Sequence, residues 1–126
     1  MPYQINWHDK NILLIELEGE ISGEELGIIA EESFQLVVAA SQVIHAIVDT
    51  SKMTTSPLNL RKSVSSIEGR RHPNQGLTVM VIPKMNIILS YASTTIMQLL
   101  RLEFRIVRSI EEAEATIHRI DPQFAP

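Results

Sequence analysis

The stretch VIHAIVD, residues 43–49, decides the fold. A strand with one wet face alternates apolar and polar residues, and this one does not. It is apolar on both faces, apart from His45 in its middle and Asp49 at its end. Such a strand lies at the centre of a mostly parallel sheet with helices covering both sides. LTVMVI, residues 77–82, has the same two-sided character and predicts a second central strand.

The flanking segments extend this sheet. Tyr3, Ile5 and Trp7 recur at a period of two, HDKN (residues 8–11) reads as a turn, and NILLIELE puts Leu13, Ile15 and Leu17 on one face. So short a connection makes these two strands antiparallel neighbours. Ser22, with Glu25 three positions on, predicts a capping box. It opens a helix whose inner stripe is Leu26, Ile29, Ala30, Phe34, Val37 and Val38. A helix between two strands of one sheet implies a right-handed crossover, so the second and third strands run parallel.

Beyond Asp49 the stretch TSKMTT (residues 50–55) reads as a loop, and Ser56 and Pro57 as the N-cap and first turn of a helix ended by Gly69. RRHPNQG (residues 70–76) is a second loop. Asn86 caps a long uncharged helix. LEFRIV (residues 102–107) predicts an edge strand with Leu102, Phe104 and Ile106 inward and Glu103, Arg105 and Val107 on the wet side. Ser109 and Glu112 repeat the capping-box pattern before a helix that buries Ile110, Ala113, Ile117 and Ile120. The expected order is ββαβαβαβα. It is an α/β domain spanning residues 1–126, with a five-stranded, mostly parallel sheet, an antiparallel N-terminal hairpin and helices on both faces.

The 126 residues are 44% hydrophobic and 21% charged, which suits one ordinary folded domain. The absence of cysteine excludes disulfides, thiolate metal sites and thiol nucleophiles, and fits a cytoplasmic location. MPYQINWHDK has no basic run before an apolar core, so no signal peptide is expected. The net charge of −4 is unevenly spread: residues 1–60 carry two bases against nine acids, residues 61–126 nine bases against six acids. With that charge and few aromatics, nucleic-acid binding is not expected.

Three local features resemble the STAS domain, the fold of the bacterial anti-sigma factor antagonists, and within it the divergent SpoIIAA-like group related to CRAL-TRIO lipid carriers. ILLIELEGEISGEEL resembles that group's opening strand-to-helix passage. VIHAIVDTSKM is similar to the family strand that ends in aspartate. FRIVRSIEEAEATI resembles its closing strand and helix. The resemblance implies a regulatory module that binds a protein partner. In signalling members an Asp-Ser-Ser-Gly motif carries the phosphorylated serine. Aligning the helix starts matches Thr55 to that serine and Ser56 to the next. Thr54 stands for the aspartate and Pro57 for the glycine, so the usual phosphoswitch is not expected.

The residues themselves offer several candidate sites. Asp49, Thr54, Thr55 and Ser56 form either a partner or switch loop at the carboxyl end of a central strand, or a turn and helix cap. Arg61, Lys62, Arg70, Arg71 and His72 are the basic cluster, readable as an anion patch or as charge favoured by a helix end. His45 reads as a buried, hydrogen-bonded histidine. No histidine pair has metal-ligand spacing, so neither metal nor cofactor is expected. No Gly-x-Ser-x-Gly elbow or matched acid–base pair points to an enzyme.

The sixteen residues Met85 to Leu100 carry no charge. They are too few and too polar to span a bilayer, so the helix is expected to be buried on a second side. Ile88, Tyr91, Ala92, Thr95, Ile96 and Leu99 share one face, with Ile87, Leu89, Met97 and Leu100 elsewhere. A homodimer interface is the first expectation. A groove for a lipid or other small apolar ligand, which Met85 and Met97 would suit, is the second. The function expected is a non-enzymatic interaction module, with ligand carriage or sensing as the alternative.

Overall fold

The computed structural model describes residues 3–55, 72–83, 90, 91, 94, 98 and 103–121. Five strands form one sheet in chain order: β1 (Tyr3–Asp9), β2 (Ile12–Glu20), β3 (Ile44–Thr55), β4 (Gln75–Val81) and β5 (Phe104–Val107). β1 pairs antiparallel with β2, and every later pair is parallel. Helix α1 (Gly23–Ala39) follows β2, and helix α2 (Ile110–Ile120) follows β5. The mixed α/β sheet with its N-terminal hairpin is the architecture expected from the sequence.

The two helices cover opposite faces. On one, Ile15, Leu17, Val48, Met80 and Ile82 meet Ile29 of α1, and Leu13 and Ile44 meet Val37. On the other, Ile12, Ile47, Leu77, Val79, Val81 and Val107 meet Ala113 and Ile117 of α2. Right-handed crossovers between strands in sequential order all place their helices on the same face. α2 is not a crossover, so it can fold back across the side α1 leaves bare. The double-sided apolar character of β3 and β4 follows from this.

α1 starts as its sequence dictates. Ser22 Oγ accepts from the Glu25 N–H at 3.1 Å, and Glu25 Oε1 accepts from the Ser22 N–H at 3.0 Å. The carboxyl end is held from outside: the Asn74 side-chain amide donates to the Ala40 carbonyl at 2.8 Å. That carbonyl is among those a helix end leaves without an internal partner. Asn74 also accepts the Ile44 N–H at its own carbonyl, at 2.7 Å, so one residue ties α1 to the entry of β3.

Five expectations are corrected. Gln75 and Gly76, read as loop, open β4. Residues 50–55 are strand, not loop: β3 continues to Thr55, pairing Lys52, Met53 and Thr55 with Glu18, Gly19 and Glu20 of β2. Val107 is buried against α2, while Ile106 is half-exposed. The edge position of β5 is as expected, but α2 covers the face assigned to water. Val38 is exposed, as is Ile120, so the inner lines of both helices are narrower than their apolar runs. The second capping box is half-formed. Ser109 Oγ accepts from the Glu112 N–H at 3.1 Å, but the Glu112 carboxylate takes the Arg108 N–H at 3.0 Å. The helix prediction at Ser56 lies outside the described residues.

Candidate functional site

At the carboxyl end of the sheet, Asp49 turns inward. Its Oδ1 accepts the Ser51 N–H at 2.9 Å, the local bonding that short acidic side chains favour. Thr50 is buried and donates to the Val81 carbonyl at 2.6 Å, which ties the ends of β3 and β4. β3 keeps β4 as its register partner only to Asp49, yet follows β2 six residues further. A two-stranded extension, Glu18–Glu20 with Lys52–Thr55, therefore continues past the last β3–β4 register pair. Ser51, Lys52 and Thr54 are exposed on it, while Met53 packs against the α1-side core. Gly19 bends the extension with φ of +69°, a conformation open to glycine at little cost.

This separates the residues that the sequence grouped as one loop. Asp49 is buried and bonded to its own chain, whereas Thr54 stands on an exposed strand. Ser56, Arg61, Arg70 and Arg71 lie outside the described residues, as do Ile87, Ile88, Ile96, Met97 and Leu100 of the uncharged segment. Ser90, Tyr91, Thr94 and Gln98 of that segment are helical. Tyr91 is 75% exposed.

At the opposite end of the sheet His45 is 4% exposed. Its Nδ1 accepts the Leu77 N–H at 2.9 Å, and its Nε2 lies 2.9 Å from Asp121 Oδ2. An acceptor at Nδ1 fixes the proton on Nε2, which donates to the carboxylate. The partner that the local sequence does not offer thus arrives from 76 residues away, at the C-cap of α2. Both ring nitrogens are committed to the protein itself, so the pair joins β3, β4 and α2 and is not poised to take a substrate proton. Gly76 makes room for the ring. A Cβ there would stand 2.5 Å from His45 Nδ1 and 2.9 Å from Val43 Cγ1.

Further along α2, Glu114 bonds His8 of β1. On the α1 face, Tyr3 donates to Glu32 at 2.8 Å. That bond, with a smaller contribution from partial desolvation, holds the phenol above its ordinary 10.0. Among the described residues no three His, Asp or Glu side chains converge to hold a metal. Among them, too, no helix is long and apolar enough to cross a membrane.

This arrangement of sheet and helices is a SpoIIAA-like fold, and two solved structures share it. One is an uncharacterized protein of the DUF3478 family with a SpoIIAA-like fold from Shewanella loihica; the match covers 90% of each chain, with a TM-score of 0.60 and 10% identity. The other is the Bacillus cell fate determinant SpoIIAA in its phosphorylated form. It matches over 91% of this chain and 98% of its own, with a TM-score of 0.51 and 12% identity. Identities this low establish a common fold and nothing finer. No protein-family model matches the chain, and no curated protein does.

Proposed function

We propose that this chain is a non-enzymatic interaction module that pairs with a second copy of itself through the uncharged segment 85–100. The observation that carries the reading is Tyr91, a large amphipathic side chain 75% exposed on a helical stretch. It stands among sixteen residues without one charge. Exposed tyrosines amid apolar neighbours and depleted charge are the composition of interface centres. A second copy is the favoured occupant, because two-fold pairs are the commonest soluble oligomers and an uncharged helix meets its own copy without like-charge repulsion. Ile87, Ile88, Ile96, Met97 and Leu100 belong to the same uncharged run of sequence.

Regulation by the usual serine switch is not part of this reading. Thr55, the residue matched to the phosphorylated serine, lies in β3 as the register partner of Glu20. A phosphate there would add roughly two negative charges to a chain of net charge −4.

Sedimentation equilibrium tests the proposal. The chain is expected to be a dimer, and Tyr91→Lys a monomer with an unchanged far-UV spectrum and melting curve. A wild-type monomer at the highest soluble concentration overturns it. Non-protein mass retained in native mass spectrometry, with a monomeric protein, would replace it with carriage of a small apolar ligand.

A further inference from the structure

We infer that His45 is an acid-sensitive latch: while neutral it holds the carboxyl end of α2 to β3 and β4, and a proton on its ring releases that end. Two hydrogen bonds carry the inference. Nδ1 accepts the Leu77 N–H at 2.9 Å, and Nε2 lies 2.9 Å from Asp121 Oδ2. A neutral imidazole has one N–H and one bare nitrogen, so the ring meets an acceptor on one side and a donor on the other. An imidazolium has two N–H groups and no acceptor. Its second proton would sit on Nδ1 and point at the Leu77 N–H.

A histidine–carboxylate bond by itself gains from a proton, because the donor becomes a cation. Asp121, and the partial negative charge where α2 ends, pull in that direction here. The other side of the ring opposes them, since a hydrogen bond that only the neutral form can make disfavours the charged form. The Leu77 amide cannot turn away, because β4 is paired with β3 on either side of it, at Ile44–Gln75 and at Ala46–Thr78. Gly76 lies so close beneath the ring that it has no room to slide towards β4. The ring therefore takes a proton only by leaving its seat. The His45 side chain is 4% exposed and that of Asp121 is 19% exposed, so the way out is through the C-cap, where helices fray first.

Among the described residues, the titratable groups around the ring are few. β2 sets Ile12 beside it, and β4 offers Gly76 and the Leu77 amide, none of them charged. α2 offers Asp121, with His118 one turn earlier and Glu114 one turn before that, the last bonded to His8. His72 lies ahead of β4 with its Nδ1 taking the Asn74 N–H. The opened form binds one proton more than the closed form. Docking of the α2 end is thus at full strength above the value of a free imidazole, about 6.5, and is lost as pH falls below it. The opening equilibrium rises by up to roughly tenfold per pH unit.

Amide exchange on the ¹⁵N-labelled full chain, from about pH 7.5 to about pH 5, tests this. The reporter is the Asp121 N–H, which bonds the Ile117 carbonyl at 2.8 Å. After correction for the intrinsic exchange rate, its opening should grow by up to roughly tenfold per pH unit below about 6.5. The ring nitrogens of the closed form should keep the shifts of the neutral Nε2–H tautomer throughout. A ring that moves to imidazolium shifts in place, with the Asp121 opening unchanged or reduced, overturns the inference. His8→Gln, His72→Gln and His118→Gln should each leave the acid response intact. Its loss in any of them names a different titrating group and equally overturns the inference.

Discussion

Replacing Gly76 by alanine tests the buried polar core of the structure most directly. Gly76 lies in β4 with no positive φ, so on backbone grounds alanine should stabilise it by about 0.4–1 kcal/mol through the unfolded chain. The contacts say the reverse. The new Cβ would meet His45 Nδ1 at 2.5 Å, His45 Cε1 at 2.7 Å and Val43 Cγ1 at 2.9 Å, where ordinary contacts begin near 3.4 Å. A free side chain would swing aside, but this ring is held by the Leu77 N–H and by Asp121. Moving it strands a buried N–H, at about 1–3 kcal/mol, on top of about 1–3 kcal/mol of overpacking. The expected loss is about 2–5 kcal/mol, from a total near 6–19 kcal/mol for a chain of this length. Urea unfolding followed by far-UV circular dichroism measures it. His45→Ala removes two of the three close contacts and leaves only Val43 Cγ1, so in that background Gly76→Ala should cost clearly less than in the wild type, a coupling that the double-mutant cycle isolates. A stabilised Gly76→Ala, or an equal cost in both backgrounds, would refute the placement of His45 against β4.

Other outcomes follow from the same geometry. Asn74→Ala removes the donor at the carboxyl end of α1 and should cost about 1 kcal/mol in urea unfolding, with faster amide exchange in the last turn of the helix. Gly19→Ala meets no atom within 4 Å, so it should lose only the left-handed backbone penalty, about 1–2 kcal/mol, and Gly19→Asn should lose less. Tyr3 should ionise above 10.0 in a titration followed at 295 nm, and Glu32→Gln should bring it down. Its raised value favours the neutral phenol in the folded chain. Its contribution is therefore complete below the unfolded value of 10.0 and lost as pH climbs through the folded value, so this group gives stability no pH dependence near neutrality.

The parts of the fold legible in the sequence are those decided by neighbours along the chain. The Tyr3–Ile5–Trp7 alternation, the Ser22–Glu25 box and the two-sided apolar runs of β3 and β4 each state their own structure. What was not legible was decided by distant partners. TSKMTT has no apolar alternation to mark a strand, and it is one because β2 continues alongside it through Gly19 and Glu20. Gly76 reads as a loop residue beside Asn74, but belongs to β4 because only a residue without a side chain passes under His45. The reciprocal bond at Ser109 fails because Glu112 reaches one residue further, to the Arg108 amide. Val107 is buried because α2 returns over β5, an event that the local period of two does not encode. Of the candidate site, Asp49 makes the local bond to a following amide that short acidic side chains favour, but within β3 and not in the loop expected. Asp121 as the partner of His45 was not legible, being set by tertiary packing across 76 positions.

The polar residues at the two ends of the sheet are consequently of different kinds. At the amino end of the parallel strands, the His45 and Asp121 side chains spend their hydrogen bonds on joining β3, β4 and α2, and the Asn11 carbonyl ties the start of β2 to β3. Those bonds anchor the carboxyl end of α2 to the sheet. At the carboxyl end, the buried groups Asp49 and Thr50 close the last β3–β4 pair, and beyond them Ser51, Lys52 and Thr54 are left on the exposed β2–β3 extension. Ligands of open α/β sheets approach from the carboxyl ends of the strands. The amino end is thereby tied up in holding the fold together, and the carboxyl end is the side from which a ligand of such a sheet would approach. Substitutions at His45 or Asp121 should thus be read through unfolding, and those at Thr54 or Tyr91 through association.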